Sequence, residues 1–211
     1  MDKQRADAKK MAKELPFKER VKHFWEYYKV HTLLALFFAV VLTITAVQCA
    51  QQIDYDLEVS VYTSKGLLQE NIDFLTETMK KQSYDINDNG MVDIGVFQNF
   101  ADISNPDVYD EKVEAVLSKF QAELSANSSP VYILDEDYKE MILKVFPDGV
   151  KASIDISQIP EIKEKLKLGD DDALYFVVLP EYEGRKDAEE LQKKYQLAEK
   201  IEKYFENCLK K

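Results

Sequence analysis

Twenty consecutive residues, from His31 to Ala50, contain no aspartate, glutamate, lysine or arginine, although 32% of the whole chain is charged. The stretch consists largely of leucine, phenylalanine, valine and alanine. A helix of about 20 residues, rising about 1.5 Å per residue, crosses the roughly 30 Å hydrocarbon core of a bilayer. The stretch therefore predicts a transmembrane helix that contacts the lipid bilayer through residues 31–50.

Three alternatives to an uncleaved anchor remain open for this stretch. A cleaved signal peptide has an apolar core of about 7–15 residues followed by small residues, whereas this core is longer and ends in Gln48-Cys49. A lipoprotein attached through Cys49 would need a small residue before that cysteine, and Gln48 is not small. A buried helix of a globular protein is the third alternative. The uncleaved anchor is the favoured interpretation.

The charges on the two sides of the stretch predict its orientation. Residues 1–30 carry nine basic and five acidic side chains, a balance of +4, while residues 51–211 carry 19 and 34, a balance of −15. Basic residues accumulate on the cytoplasmic side of membrane spans, and aromatic residues such as Trp25 and Tyr28 favour the interface. We therefore expect a single-pass protein of the cell membrane with a cytoplasmic N-terminus and an extracytoplasmic C-terminal domain.

The residues before the span divide into a tail and a helix. Residues 1–15 are polar and predict a basic cytoplasmic tail, whereas residues 16–50 predict a juxtamembrane amphipathic helix followed by the transmembrane helix. Pro16 suits a first helical position, and basic side chains between the apolar ones suit an anionic inner leaflet. This segment, with Tyr27-Tyr28-Lys29 before the span, resembles uncharacterised single-pass membrane-anchored proteins of Gram-positive-type bacteria.

The remaining residues, 51–211, predict one acidic α/β domain. Stretches with strand-like apolar patterns alternate with stretches in which apolar residues recur at helical spacing. The predicted strands cover residues 56–62, 91–98, 131–134, 151–156 and 173–179. Such alternation is typical of βαβ units, so we expect a single three-layer α/β domain with a mainly parallel sheet of four or five strands.

The order of elements over residues 56–160 resembles the first lobe of bacterial extracellular solute-binding proteins. The resemblance is carried by the strands at 57–62 and 93–97, the helix at 109–117, Val131-Tyr-Ile-Leu-Asp135 and Asp155-Ile-Ser157. It implies that the strand ending at Asp135 lies near a ligand cleft. Members of that family have two lobes that enclose the ligand, whereas this chain has room for one.

Asp135-Glu136-Asp137 forms the candidate ligand-binding site. These carboxylates follow a predicted buried strand, and α/β sheets bind ligands beyond the carboxyl ends of their strands. The alternative is that Asp135 or Asp137 only caps the following helix. A second acidic run, Asp170-Asp171-Asp172, is interpreted as a solvated turn.

The segment from Asp85 to Val96 has the opening spacing of a calcium-binding loop. An EF-hand loop supplies oxygens from positions 1, 3, 5, 7 and 9, requires glycine at 6 and ends in a bidentate glutamate at 12. Counted from Asp85, the candidate metal ligands are Asp85, Asn87, Asn89, Met91 and Asp93, with Gly90 at position 6. Position 12 is Val96, which cannot bind a metal.

A tight turn without metal explains the same residues and is the favoured interpretation. Aspartate and asparagine side chains accept hydrogen bonds from their own backbone, and glycine adopts positive φ without steric cost. Calcium is therefore the alternative, and the only cofactor that the sequence suggests.

The residues that the outer domain lacks restrict its chemistry. The only histidines are His23 and His31, so residues 51–211 contain no imidazole base, and their only thiol is Cys208. No glycine-rich phosphate loop is present, and a balance of −15 opposes nucleic-acid binding. No catalytic residues are predicted, and the chain is not expected to be an enzyme.

The function expected from the sequence is a membrane-anchored extracytoplasmic domain that binds a ligand or another protein. An envelope component or a neighbouring membrane protein is the expected class of partner. The alternatives are a carboxylate-dependent hydrolase at the cell surface, which would need two carboxylates about 5–10 Å apart, and an accessory subunit of a membrane transporter.

Overall fold

The computed structural model describes residues 16–50, 53–104, 110–146, 149–181 and 188–210. The predicted basic tail, residues 1–15, lies outside the described residues. The chain forms two compact units, which divide between Ile53 and Asp54.

The first unit is built on one uninterrupted helix, α1 (Phe17–Ala50), of 34 residues. The predicted amphipathic helix and span are thus parts of one helix. Its most apolar section, Tyr28–Gln48, has a mean hydropathy of 2.3, and none of it is buried within the protein. The hydroxyls of Thr43 and Thr45 donate to the carbonyls four residues earlier, at 2.8 and 3.0 Å, which satisfies them inside the helix. The helix is compatible with a single-pass membrane anchor or a signal sequence.

The second unit alternates strands and helices along the chain. Its elements are β1 (Leu57–Thr63), α2 (Gln69–Lys80), β2 (Ile94–Phe100), α3 (Glu111–Ala126), β3 (Val131–Leu134), α4 (Glu136–Val145), β4 (Ala152–Asp155), a 3₁₀ turn (Ile156–Gln158), α5 (Pro160–Leu166), β5 (Tyr175–Val178) and α6 (Ala188–Leu209). Asn105-Pro106-Asp107 is typical of a helix start, but these residues lie outside the described ones. Among the described residues Asp110 caps α3, because its side chain accepts the Val113 N–H.

The five strands form one mixed sheet in the order β2-β1-β3-β5-β4. β1 pairs in parallel with β2 and β3, whereas β5 runs antiparallel to both β3 and β4. The predicted α/β class and strand number are confirmed, but the prediction of a mainly parallel sheet is wrong.

The link between β4 and β5 causes this difference. Asp155, the last residue of β4, pairs with Tyr175, the first residue of β5, so the chain leaves β4 and enters β5 at the same end of the two strands. A parallel crossover would have to carry the chain back to the opposite end of the strands. A helix between two strands therefore does not guarantee a parallel pair.

Helices cover both faces of the sheet, and each face has its own apolar core. On one face Leu57, Val59 and Val61 of β1 pack with α2, α5 and α6. On the other face Tyr62 packs with Phe120 of α3 and with α4. The alternation of β1 residues between the two cores follows from the two-residue period of a strand, and it produces three layers.

Strand β2 lies at an edge of the sheet, and no described strand pairs with its outer side. It contains no charged residue, and Phe97 and Phe100 remain 43% and 41% exposed. The ring of Phe97 contacts that of Tyr55 edge-on, with centroids 5.6 Å apart. Lys112 Nζ lies 3.6 Å from the centroid of the Phe100 ring, so each aromatic ring is only partly covered.

Asp56 ties the segment before β2 to the start of β1. Its side chain is fully buried. Oδ1 accepts the N–H groups of Ile86 at 2.6 Å and Asn87 at 3.3 Å, and Oδ2 accepts that of Asp93 at 2.8 Å. A carboxylate that accepts three backbone N–H groups replaces the solvation that these groups lose on burial.

We expect Asp56→Ala to lower the free energy of unfolding by about 3 kcal/mol, because the substitution leaves these N–H groups without an acceptor. Asp56→Asn retains one acceptor oxygen and should cost less. Asp54→Ala changes an exposed side chain and serves as the control. Urea unfolding of the detergent-solubilised chain, followed by the near-ultraviolet circular dichroism of its tyrosines, measures each difference. Equal stability of the Asp56→Ala and Asp54→Ala variants would contradict the anchoring role.

Candidate functional site

A groove with a volume of about 480 Å³ lies at the carboxyl ends of β1, β2 and β3. These strands are parallel, so their carboxyl ends lie side by side. The volume falls in the range of ligand pockets. The lining includes residues 63–68, Asn71, Asp102, Ser104, residues 135–137, residues 166–168 and residues 171–174. The predicted site Asp135-Glu136-Asp137 therefore lies in a groove, and ligand binding there remains a prediction.

Asp135 holds two walls of the groove together. Its Oδ1 accepts the N–H of Tyr138 at 3.2 Å, which caps α4. Its Oδ2 accepts the N–H of Ser64 at 2.5 Å, which fixes the segment after β1 against the end of β3. Asp135 thus caps α4 and also binds the segment after β1, so both of its oxygens have partners within the protein.

Glu136 is also engaged with neighbouring side chains. The Tyr175 hydroxyl donates to its Oε2, and Lys139 Nζ lies 3.2 Å from its Oε1. The hydrogen bond from Tyr175, together with Lys139, lowers the pKa of Glu136 below its usual range, and the same bond raises the pKa of Tyr175. Lys139 Nζ also lies 3.5 Å from the centroid of the Tyr175 ring. These three residues form one cluster at the side of the groove.

Asp137 is the least engaged of the three predicted site residues. The Ser64 hydroxyl donates to its Oδ2 at 3.2 Å. Its Oδ1 has no hydrogen-bond partner among the described residues. One oxygen of Asp137 is therefore available to a ligand.

The groove also contains residues that sequence reasoning missed. Asp171 and Asp172 line it, although residues 170–172 were expected to form only a solvated turn. Asp172 accepts the N–H of Gly169 at 2.9 Å and lies 3.2 Å from Lys65 Nζ, and these contacts lower its pKa. Asp170 pairs instead with Lys163 at 2.7 Å and is exposed. Ser64 and Lys65 also line the groove and were not predicted. Their position directly after the first strand is the sequence signal that would have identified these two residues.

The described lining of the groove is strongly acidic. Two lysines and six carboxylates contribute a formal charge of −4, and the carboxylates are Asp102, Asp135, Glu136, Asp137, Asp171 and Asp172. Asp102 accepts hydrogen bonds from the backbone and hydroxyl of Ser104, at 3.0 and 2.6 Å, which lower its pKa. The carboxylates therefore differ in how many acceptor oxygens they leave free.

The predicted calcium loop is closed by its own side chains. Asp85 Oδ2 accepts the N–H of Gly90 at 2.7 Å, Asn87 Oδ1 accepts that of Asn89 at 3.1 Å, and Asn89 Oδ1 accepts that of Met91 at 2.8 Å. Gly90 has φ +84°. These are the local bonds that the turn interpretation predicts.

The remaining candidate metal ligand is Asp93, and its main contacts lie outside the turn. Its N–H donates to Asp56, and its carboxylate lies 3.7 Å from Lys80 Nζ. Among the described residues, no group of three or more histidine, cysteine, aspartate or glutamate side chains is arranged to hold a metal ion. The local hydrogen bonds and the absence of such a group from the described part of the chain make the turn the better-supported interpretation. Asp85 Oδ1 is buried without a hydrogen-bond partner, and calcium binding stays an untested alternative.

A turn that needs no metal should have the same stability in millimolar calcium and in a calcium chelator. We therefore expect identical thermal unfolding midpoints for the detergent-solubilised chain under the two conditions. A higher midpoint in calcium that disappears in Asp85→Ala, but persists in Asp88→Ala, would show that Asp85 binds the ion instead.

The hydrogen bond between Tyr175 and Glu136 predicts a pH effect. Because the pKa of Glu136 is lower in the folded state, its contribution to stability is present above the unfolded-state pKa and is lost as the pH falls through the folded-state pKa. Tyr175→Phe should raise the pKa of Glu136 towards its ordinary value, and the stability difference from wild type should shrink as the pH falls. Carboxyl-carbon NMR titration measures the pKa, and Tyr84→Phe, at an exposed tyrosine, is the matched control.

No model of a protein family, no curated protein and no solved structure matches this chain. The fold, the groove and the apolar helix are therefore the observations that bear on its function. The resemblance of residues 56–160 to a lobe of solute-binding proteins stays a prediction.

Proposed function

We propose that the chain is a single-pass membrane protein whose acidic α/β domain lies outside the cytoplasm and binds a ligand in the groove. The observation that carries this proposal is the position of the groove. It lies where parallel strands end, which is where α/β sheets bind ligands, and polar side chains from four segments converge on it. The apolar helix α1 supports the anchor, and the charge difference across it supports the orientation.

The contacts of the carboxylates favour binding over hydrolysis. A hydrolase of the carboxylate type needs one carboxyl group as acid and another as base or nucleophile. Asp135 uses both oxygens for backbone N–H groups, and Glu136 is held by Tyr175 and Lys139. These residues shape the groove, while Asp137 and Asp171 retain free acceptors for a ligand.

The proposed ligand comes from the cell envelope or is presented by a neighbouring membrane protein. A domain with one lobe leaves one side of its ligand open, whereas a two-lobed binding protein encloses it. The open side suits a ligand that stays attached to a larger molecule. The role of an accessory subunit beside a transporter would fit the same geometry, but no described contact favours it.

Membrane orientation is tested by labelling single cysteines in a Cys49→Ser, Cys208→Ser background. We expect a membrane-impermeant maleimide to label Glu189→Cys in intact cells and Lys13→Cys only after lysis, because residues 51–211 lie outside the cytoplasm. Labelling of Lys13→Cys alone in intact cells would reverse the proposed orientation.

Ligand binding is tested with a library of cationic, neutral and anionic small molecules, screened by saturation-transfer NMR against the full chain in micelles. We expect at least one compound to bind the wild type, and its affinity to fall at least about tenfold in Ser104→Trp, which fills the groove. Ser118→Trp, on the exposed side of α3, is the matched control and should bind normally. A library without any compound sensitive to Ser104→Trp would contradict the binding function.

A further inference from the structure

Asn71 presents a free hydrogen-bond acceptor to the groove. The residue is only 7% exposed and lines the groove. Its Nδ2 donates to the carbonyl of Leu166 at 3.5 Å, which orients the amide, and its Oδ1 has no hydrogen-bond partner among the described residues. This oxygen is not among the buried side-chain atoms without a partner, so it keeps access to solvent. Because the rest of the side chain is buried, the groove provides that access.

Two carboxylates add further free acceptors. Asp137 receives one hydrogen bond, from the Ser64 hydroxyl, and keeps its Oδ1 free. Asp171 is exposed at the groove and has no hydrogen bond or ion pair within the described residues. Ionised carboxylates only accept hydrogen bonds, so a ligand group that contacts these atoms must be a donor.

The side-chain donors of the described lining, in contrast, already have partners within the protein. Lys65 Nζ pairs with Asp172 at 3.2 Å, and Lys167 Nζ lies 3.8 Å from Glu70. The Ser64 N–H and hydroxyl donate to Asp135 and Asp137. The Leu67 N–H donates to Gln98 Oε1 at 2.6 Å. A ligand therefore meets free acceptors and a net negative charge.

We infer that the groove takes a ligand with a cationic nitrogen group on an apolar stem, namely an alkylammonium or alkylguanidinium group. This inference rests on the proposed function, since it names the ligand class of the same groove. An ammonium supplies three donors and a guanidinium five, which match the free oxygens of Asn71, Asp137 and Asp171. Leu68 and Leu174 also line the groove and would contact the stem.

The same chemistry has two sources, a free amine and a lysine or arginine side chain of a peptide. Two probes distinguish them, 1,5-diaminopentane and the capped tripeptide acetyl-Gly-Lys-Gly-amide. Two further probes, 1,5-pentanediol and glutarate, have similar chain lengths but are neutral and anionic. Isothermal titration calorimetry measures the binding of each probe to the full chain in uncharged detergent.

We expect at least one cationic probe to bind, and its affinity to fall at least about tenfold in Asp137→Asn and in Asp171→Asn. Asp171→Asn alters an exposed side chain, so a loss of binding there does not arise from unfolding. Asp73→Asn, on the exposed side of α2, removes the same charge outside the groove and should leave binding unchanged. Higher salt should weaken binding in the wild type.

Failure of the inference differs from failure of the proposed function. Binding of pentanediol or glutarate that is lost in Ser104→Trp, with no binding of either cationic probe, would overturn the cationic class and leave the groove as a binding site. Cationic probes that bind wild type, Asp137→Asn and Asp171→Asn equally well would also overturn it. If nothing binds the groove, both proposals fall.

Discussion

The parallel pairing of β1 with both β2 and β3 is the constraint on which the domain depends. It places β1 between two strands of the same direction and buries its side chains alternately in two cores. Because the three strands share a direction, the segments that follow them meet at one edge. The bond from the Ser64 N–H to Asp135 then joins two of these segments across 71 positions of sequence. The groove is thus a consequence of strand direction. The carboxylate of Asp135 holds two of its walls together.

Features with a local cause could be predicted from the sequence. The alternation of Leu57, Val59 and Val61 with polar residues identifies β1. Asp135 caps α4 by accepting the N–H of Tyr138, which lies only three positions further along the chain. The direction of β5 could not be predicted, because the apolar pattern of the residues between β4 and β5 does not show at which end of the strands the chain re-enters the sheet. The partners of Asn71 and Lys65 were missed for a similar reason, since they lie 95 and 107 positions away.

The segment between α2 and β2 contains hydrogen bonds between near neighbours, which the sequence predicts, and hydrogen bonds to a distant residue, which it does not. The bonds of Asn87 and Asn89 span two residues each, and they follow from residue type and spacing alone. Asp56 could not be identified in this way, because its acceptor oxygens serve N–H groups 30, 31 and 37 positions along the chain. The same contact explains why β2 begins at Ile94 and not at Met91, as the apolar pattern suggested. The Asp93 N–H is directed to a carboxylate instead of a neighbouring strand.

The outer side of β2, with which no described strand pairs, has a consequence for how copies of this protein behave together. Many proteins protect such edges with lysine, proline or a bulge. The seven residues Ile94–Phe100 contain neither lysine nor proline, and both of their phenylalanines are accessible. An uncharged segment of this length is of the type that stacks into intermolecular sheets. The excess of aspartate and glutamate outside this strand provides long-range repulsion between copies, which opposes such stacking, and some of the same residues also shape the groove.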